Sequence, residues 1–308
     1  MSTRYPNRRS ALFALGALPL LASCSGSETE RTAGNPRYAT IDQSSAIAHG
    51  PVAGRLPRTP TIDEIRQRGY LRQSGSLTNP GFALENVKTG AVTGFDAGIA
   101  QLLAKYLLGK PEVDTVTGGS DTREAMLGNH SVDVAIGTYT IKENRARLVN
   151  FAGPYYVAHS GVLVAADNHD IRKLSDLDGR RVAVQPGAAE ESLRKEVPDA
   201  IPVLFEQSSQ NASAVRQGRV VAWSANTALL LGKSVIDKEL RMTDIAFGSS
   251  PFGIGTPKDD PVFKSVVVEF LNRIMADGTW RKLWECTVGV LTPGPAPHPP
   301  RVGSVPGS

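Results

Sequence analysis

Between about Pro60 and Gly289, segments of helical period alternate with short apolar runs of strand character, and this alternation confines the chain to an α/β architecture. Ile99, Leu102, Leu103, Tyr106 and Leu107 follow the helical spacing; Asp96 is expected to cap their helix, and Gly109 with Pro111 stops it. Val132, Val134 and Ile136 predict a buried strand, as do Leu163 with Val164, Arg181 to Gln185, and Val220 to Trp223. Pro186-Gly187-Ala188-Ala189 opens a helix reaching about Lys195, and Asn226 heads another over Thr227 to Leu231. Phe263, Val267, Phe270, Leu271 and Ile274 stripe a last helix before Gly278-Thr279-Trp280.

The core must hold itself together by apolar burial. Only two cysteines exist, and the first sits in a leader: Arg4, Arg8 and Arg9 precede an uncharged run from Ala11 to Leu21, then Ala22-Ser23-Cys24. That run is too short to span a bilayer, and the layout reads as a cleaved export signal over residues 1–23. Arg8-Arg9 also fits a twin-arginine signal. Residues 24–56 are polar and without apolar period, which suits a flexible tether, and residues 289–308 hold six prolines and are expected to stay disordered. The intervening stretch of about 230 residues suffices for one large or two medium lobes. The net charge of +4 is spread without a basic stripe, so nucleic-acid binding is unsupported.

Chemistry concentrates between Asp133 and Tyr156. Thr138 and Thr140 stand at the exit of the predicted strand, and Arg145 lies where a turn or short helix could bring it back toward them. A guanidinium grips a carboxylate through two parallel hydrogen bonds, while hydroxyls and free N–H groups satisfy the remaining lone pairs. The plainer alternative makes Arg145 a surface ion pair, at most about 1 kcal/mol. Thr138 to Thr140, Pro186 to Ala189 and Ser224 to Thr227 share one geometry, a strand giving way to a turn or helix, where open α/β sheets bind ligands and helix N-termini favour anions.

These residues resemble family 3 of the bacterial extracellular solute-binding proteins, which deliver polar amino acids to ABC importers. The landmarks run from about Leu71 to Glu285: Thr93-Gly94-Phe95-Asp96, the Arg123 loop, Thr138-x-Thr140 with Arg145, Val149-Asn150-Phe151-Ala152-Gly153-Pro154-Tyr155, Leu174 to Arg180, Val184-Gln185-Pro186-Gly187, and Asp277-Gly278-Thr279-Trp280. Asn79-Pro80-Gly81-Phe82 and the proline-rich tail are most similar to actinobacterial glutamate- and glutamine-binding lipoproteins, and Leu21-Ala22-Ser23-Cys24 resembles a lipobox. The resemblance implies a two-lobed periplasmic-binding-protein-like fold, two α/β lobes joined by two hinge strands, with lobe one at 57–158 and 251–288 and lobe two at 159–250. It implies a monomer held on the extracytoplasmic face of the cell membrane by a lipid on Cys24. An amino acid would close the lobes, and an ABC permease or a membrane sensor would read the closure.

Carried over from that family, Arg145 holds the ligand's α-carboxylate with Thr140 and the backbone around Thr138, and Arg123 takes an acidic side chain. Phe82 packs on the ligand's methylenes, Ala188 and Ala189 donate N–H groups from lobe two, and Asn226 meets the ammonium. The chain departs from the family pattern twice here: Ala188 stands where a threonine is usual and Asn226 where an aspartate is usual, the second removing a charge-assisted contact of about 2 to 3 kcal/mol. His130 and Val221 also depart, in places that read as structural. Two arginines with no facing carboxylate favour a ligand of net negative charge, so the expected ligand is a polar, acidic amino acid within the set glutamate, aspartate and glutamine, with a carboxylate lacking the ammonium as the alternative; a cleft that has lost binding is the remaining possibility. Ser192-x-x-Lys195 and Lys88-Thr89-Gly90 imitate a penicillin-binding motif in reversed order, so no enzyme is expected. No cofactor is implied, and no histidine pair has metal-ligand spacing.

Overall fold

The computed structural model describes residues 41–117, 122–292 and 295–308. The leader, Cys24 and the first part of the expected tether lie outside the described residues.

Lobe one begins with helices α1 (Ser44–His49) and α2 (Pro60–Arg68) and strand β1 (Leu71–Gly75). A small antiparallel meander of β2 (Thr78–Asn79), β3 (Ala83–Glu85) and β4 (Val92–Thr93) leads to α3 (Phe95–Leu108), β5 (Val113–Thr117), α4 (Arg123–Gly128), β6 (Val134–Ala135) and α5 (Glu143–Ala146). The long strand β7 (Asn150–Ala165) carries the chain into lobe two. There follow β8 (Arg181–Val184), α6 (Ala188–Glu196), β9 (Ile201–Leu204), α7 (Ser208–Arg216), β10 (Ala222–Asn226) and α8 (Thr227–Ile236). Strand β11 (Leu240–Thr256) returns to lobe one and its helices α9 (Pro261–Ala276) and α10 (Thr279–Cys286).

Eight strands form one mixed sheet in the order β5-β1-β6-β11-β7-β10-β8-β9. The outer strands of each lobe pair in parallel, β1 with β5 and β6, β8 with β9 and β10, as helix crossovers require. The antiparallel pair of β7 and β11 runs through both lobes, and its register slips between Phe247 and Ser250, where Ser250 faces Ala158. A lobe boundary here is therefore a place along two continuous strands.

Alternate residues of lobe two's strands enter separate cores. Val162, Val164, Val182 and Val184 join Leu193, while Leu163, Ala183, Trp223 and Leu240 join Leu230. Both faces of this part of the sheet are covered, which explains why its strands read as unbroken apolar runs. Lobe one's core gathers Phe95, Phe252, Phe270 and Trp280 around α3, α9 and α10.

Local sequence sets the helix starts. Thr59 accepts from Ile62 N–H ahead of Pro60, and Asp260 from Phe263 N–H ahead of Pro261, each side chain satisfying a donor that the first turn leaves open. The expected cap at Asp96 is not made: Gly94 occupies the N-cap of α3, with φ 129°, and a Cβ there would meet the Phe82 carbonyl carbon at 2.4 Å. Asp96 instead turns its carboxylate away from its own helix. The strand expected at Val132 to Ile136 is shorter, and that at Val220 to Trp223 begins later and ends at Asn226.

Both ends of the folded core extend beyond their expected limits. Ile41, Gln43, Ile47 and Leu56, placed in the tether, are buried, and Gln43 accepts from Gly94 N–H at 2.7 Å while donating to Gln101. The tail is likewise docked over its described residues 295–308. Val302 packs on the core of lobe one, Val305 on the cluster around Tyr139, and Gly303 N–H donates to the Gly153 carbonyl at 2.7 Å. Prolines limit the freedom lost on docking, and two valines supply the apolar anchors that composition alone conceals.

Candidate functional site

In each lobe the candidate residues lie at the carboxyl ends of parallel strands. In lobe one β1 ends at Gly75 beside β6, and Arg123, the first residue of α4, brings its guanidinium there: a Cβ on Gly137 would lie 3.6 Å from Arg123 Nη2, 3.5 Å from Gly75 Cα and 3.6 Å from Ser76 N. Gly137 thus keeps a side chain out of the ground beside this cation.

Arg123 and Arg145 share one ring. Their guanidinium carbons stand 5.2 and 5.1 Å from the centroid of Tyr139, which is itself fully buried. Arg145 is otherwise committed: its Nε lies 3.3 Å from Glu124 Oε1 and its Nη1 donates to the Thr140 carbonyl at 3.1 Å. Glu124 also accepts from the Tyr139 phenol at 2.8 Å; burial first, and this contact second, push the phenol above its ordinary range. The expectation of two arginines without a facing carboxylate is therefore corrected, because Glu124 faces Arg145. Arg123 has no hydrogen bond or ion pair among the described residues. Burial first, and the neighbouring Arg145 second, lower its pKa from the ordinary value. The Tyr139 ring beneath it and the fields of Tyr155 and Asp96 act in the opposite direction.

Asp96 is the hidden support of this wall. Its carboxylate accepts from the Tyr155 phenol at 2.7 Å and from Thr138 N–H at 2.8 Å, and burial raises its pKa to about 6 against these two donors and Arg123. Thr138 takes φ 46°, a left-handed conformation unusual for a β-branched residue, and its N–H is spent on Asp96 rather than left for a ligand. Thr140 is buried and bridges to Phe252, its carbonyl held by Arg145. Phe82, expected at the ligand's methylenes, is fully buried, with its ring set edgewise to Phe95, Tyr156 and Phe252.

Lobe two contributes two helix starts at the ends of the neighbouring parallel strands β8 and β10. Ala188 and Ala189 open α6 behind Gly187, which offers no side-chain cap, so first-turn N–H groups stay unsatisfied by the protein. Asn226 caps α8, its Oδ1 accepting from Leu229 N–H at 2.8 Å, which leaves Nδ2 as the free donor of the amide. Ser160, opposite Asn226 in the ladder, hydrogen-bonds Ser192 Oγ at 2.9 Å, and Lys195 pairs with Glu196, so the Ser192-x-x-Lys195 motif assembles no nucleophile. The lobes meet where Lys142 Nζ lies 2.5 Å from Glu191 of α6, and where a Cβ on Gly232 would stand 2.6 Å from the Pro80 carbonyl oxygen.

Sequence reasoning missed Glu124, Tyr139 and Asp96. Tyr139 was signalled by its place inside Thr138-x-Thr140 and Glu124 by adjacency to Arg123, but no periodicity marks a side chain that seats another. His130, set aside as structural, has φ 56°, the conformation that a glycine would enter freely. Among the described residues no cluster of three or more His, Cys, Asp or Glu side chains could hold a metal ion, and no helix is long and apolar enough to cross a membrane.

Comparison with known proteins identifies the family. The family profile described as bacterial extracellular solute-binding proteins, family 3, matches residues 74–286. A glutamine-binding protein of Geobacillus stearothermophilus is 34% identical over 81% of this chain and 91% of its own. The glutamate-binding protein GluB of Corynebacterium glutamicum is 27% identical over 70% of this chain and 78% of its own. Among solved structures, the ancestral amino acid-binding protein AncCDT-1, a precursor of cyclohexadienyl dehydratase, superposes with a TM-score of 0.65 at 29% identity, covering 74% of this chain and 98% of that one. The chain belongs to family 3 of the bacterial extracellular solute-binding proteins.

Proposed function

We propose that this protein captures one polar amino acid of the glutamine and glutamate class in the cleft between its lobes. Arg123 provides the charge that holds the ligand's carboxylate. The observation that carries this reading is the half-buried Arg123 guanidinium, without a hydrogen-bonding partner among the described residues and beside the bare backbone of Gly137. A desolvated cation in that condition gains most from a carboxylate. The unfilled N–H groups of Ala188 and Ala189 answer from lobe two. Arg145, with Glu124 and the Thr140 carbonyl on it, shapes the pocket and offers the ligand its remaining edge.

The names of its relatives support delivery of that amino acid to an ABC importer, with a membrane sensor as the other possible reader of the closed lobes. The leader and Leu21-Ala22-Ser23-Cys24 support anchoring by lipid on the extracytoplasmic face of the membrane. The reading is of a binding protein and not of a catalyst, in keeping with its family. A ligand without an ammonium group is the second reading, favoured by Asn226, whose oxygen is occupied in capping α8.

Titration calorimetry with glutamine, glutamate, aspartate and arginine tests the proposal. Saturable heat from glutamine or glutamate, abolished in Arg123→Ala, is the expected result; the absence of heat from all four would refute amino-acid capture of this class.

A further inference from the structure

We propose that Glu124 sets the charge of the ligand, by standing on Arg145 where a ligand's second carboxylate would otherwise sit. The inference rests on the binding reading above and concerns which member of the class it serves.

Glu124 is held on two sides, by Arg145 Nε at 3.3 Å and by the Tyr139 phenol at 2.8 Å, with only 15% of its side chain exposed against 21% for Arg145. A carboxylate and a guanidinium removed this far from water compensate each other, and neither is easily released. Two arginines therefore share one tyrosine ring, and of the two only Arg145 has a hydrogen-bonded carboxylate on it, while Arg123 has no ion pair among the described residues. A ligand with one carboxylate meets that cation and leaves the Glu124 pair intact. A ligand with two must bring its second negative charge against Glu124 or displace it from Arg145. An amide at the same position carries no charge and can donate to the carboxylate. The arrangement thus selects a monocarboxylate with a neutral polar side chain, glutamine over glutamate. Glu124 is a specificity-determining residue that works through Arg145.

Glu124→Gln removes the charge and keeps an acceptor for the Tyr139 phenol, so it isolates the electrostatic role. Glutamine and glutamate are titrated into the unaltered protein and into E124Q, and the readout is the ratio of their dissociation constants. The unaltered protein is expected to bind glutamine the more tightly, and E124Q to shift the ratio at least tenfold toward glutamate. Glu124→Ala shifts it in the same direction and serves if E124Q does not fold. A merely structural role would weaken both ligands together. An unchanged ratio with both ligands still binding overturns this inference alone, whereas no heat from either ligand with the unaltered protein removes the binding reading and this inference with it.

Discussion

The Tyr155 phenol donates to Asp96 at 2.7 Å, tying hinge strand β7 to the first turn of α3 in full burial. The same tyrosine's carbonyl accepts from Trp280 Nε1 at 2.7 Å, so one residue joins three elements behind the cleft. Since burial lifts the Asp96 pKa from 3.8 to about 6, the folded state holds a proton that the unfolded chain has already released between those values. The Asp96 contribution to stability is therefore fully present below its ordinary pKa and is lost as pH rises through about 6, a decline of up to about 3 kcal/mol. Urea unfolding of the unaltered protein and Asp96→Asn from pH 4 to pH 7 should show the difference between them moving steadily in favour of the variant as pH rises; a constant difference would contradict the buried, raised carboxyl.

Arg145 and Glu124 are expected to be coupled. Arg145→Ala strands the Glu124 carboxylate with only the Tyr139 phenol, and should cost about 2 to 3 kcal/mol of stability. Adding Glu124→Gln should recover a large part of that loss. A double-mutant cycle from denaturant midpoints measures the coupling, and additive losses would show that the pair is not formed.

Removing residues 295–308 uncovers the surfaces beneath Val302 and Val305 and frees the Gly153 carbonyl. About 2 kcal/mol of apolar burial is lost with them, enough to lower the thermal midpoint by several degrees. Val305→Ser should reproduce part of the effect. An unchanged midpoint in the shortened chain would mean that the tail contributes nothing to the fold.

Asn226→Asp separates the two ligand readings. Aspartate caps a helix about as well as asparagine, so stability should hold, while the new negative charge should raise affinity for an α-amino acid tenfold or more. Weaker binding in the same titration would instead point to a ligand that lacks an ammonium group.

Much of the fold was legible because its strands and helices announce themselves by apolar period and by punctuation. Asn226 heads α8 and Pro261 opens α9 as local chemistry dictates, and Arg145 does fall on a short helix after β6. Asp96 misled because a carboxylate near a helix start satisfies the capping pattern whether or not it turns toward its own helix; here Thr138 and Tyr155, 42 and 59 positions away, drew it elsewhere. The docked tail escaped composition because two valines among prolines suffice to anchor a short segment. At the site, the types and positions of both arginines were readable, but their states were not. Glu124 decides that Arg145 is paired, and such a contact depends on how α4 and the loop before α5 pack together rather than on spacing.

Arg123 is the residue on which the account turns, and thermal unfolding of the protein and of Arg123→Ala, with and without saturating glutamine, tests it most directly. A ligand present at about 100 times its dissociation constant adds roughly 2.7 kcal/mol to the folded state. A rise of several degrees is expected for the unaltered protein and little or none for the variant; an equal rise in both, or none in either with any amino acid of the class, would contradict capture at Arg123.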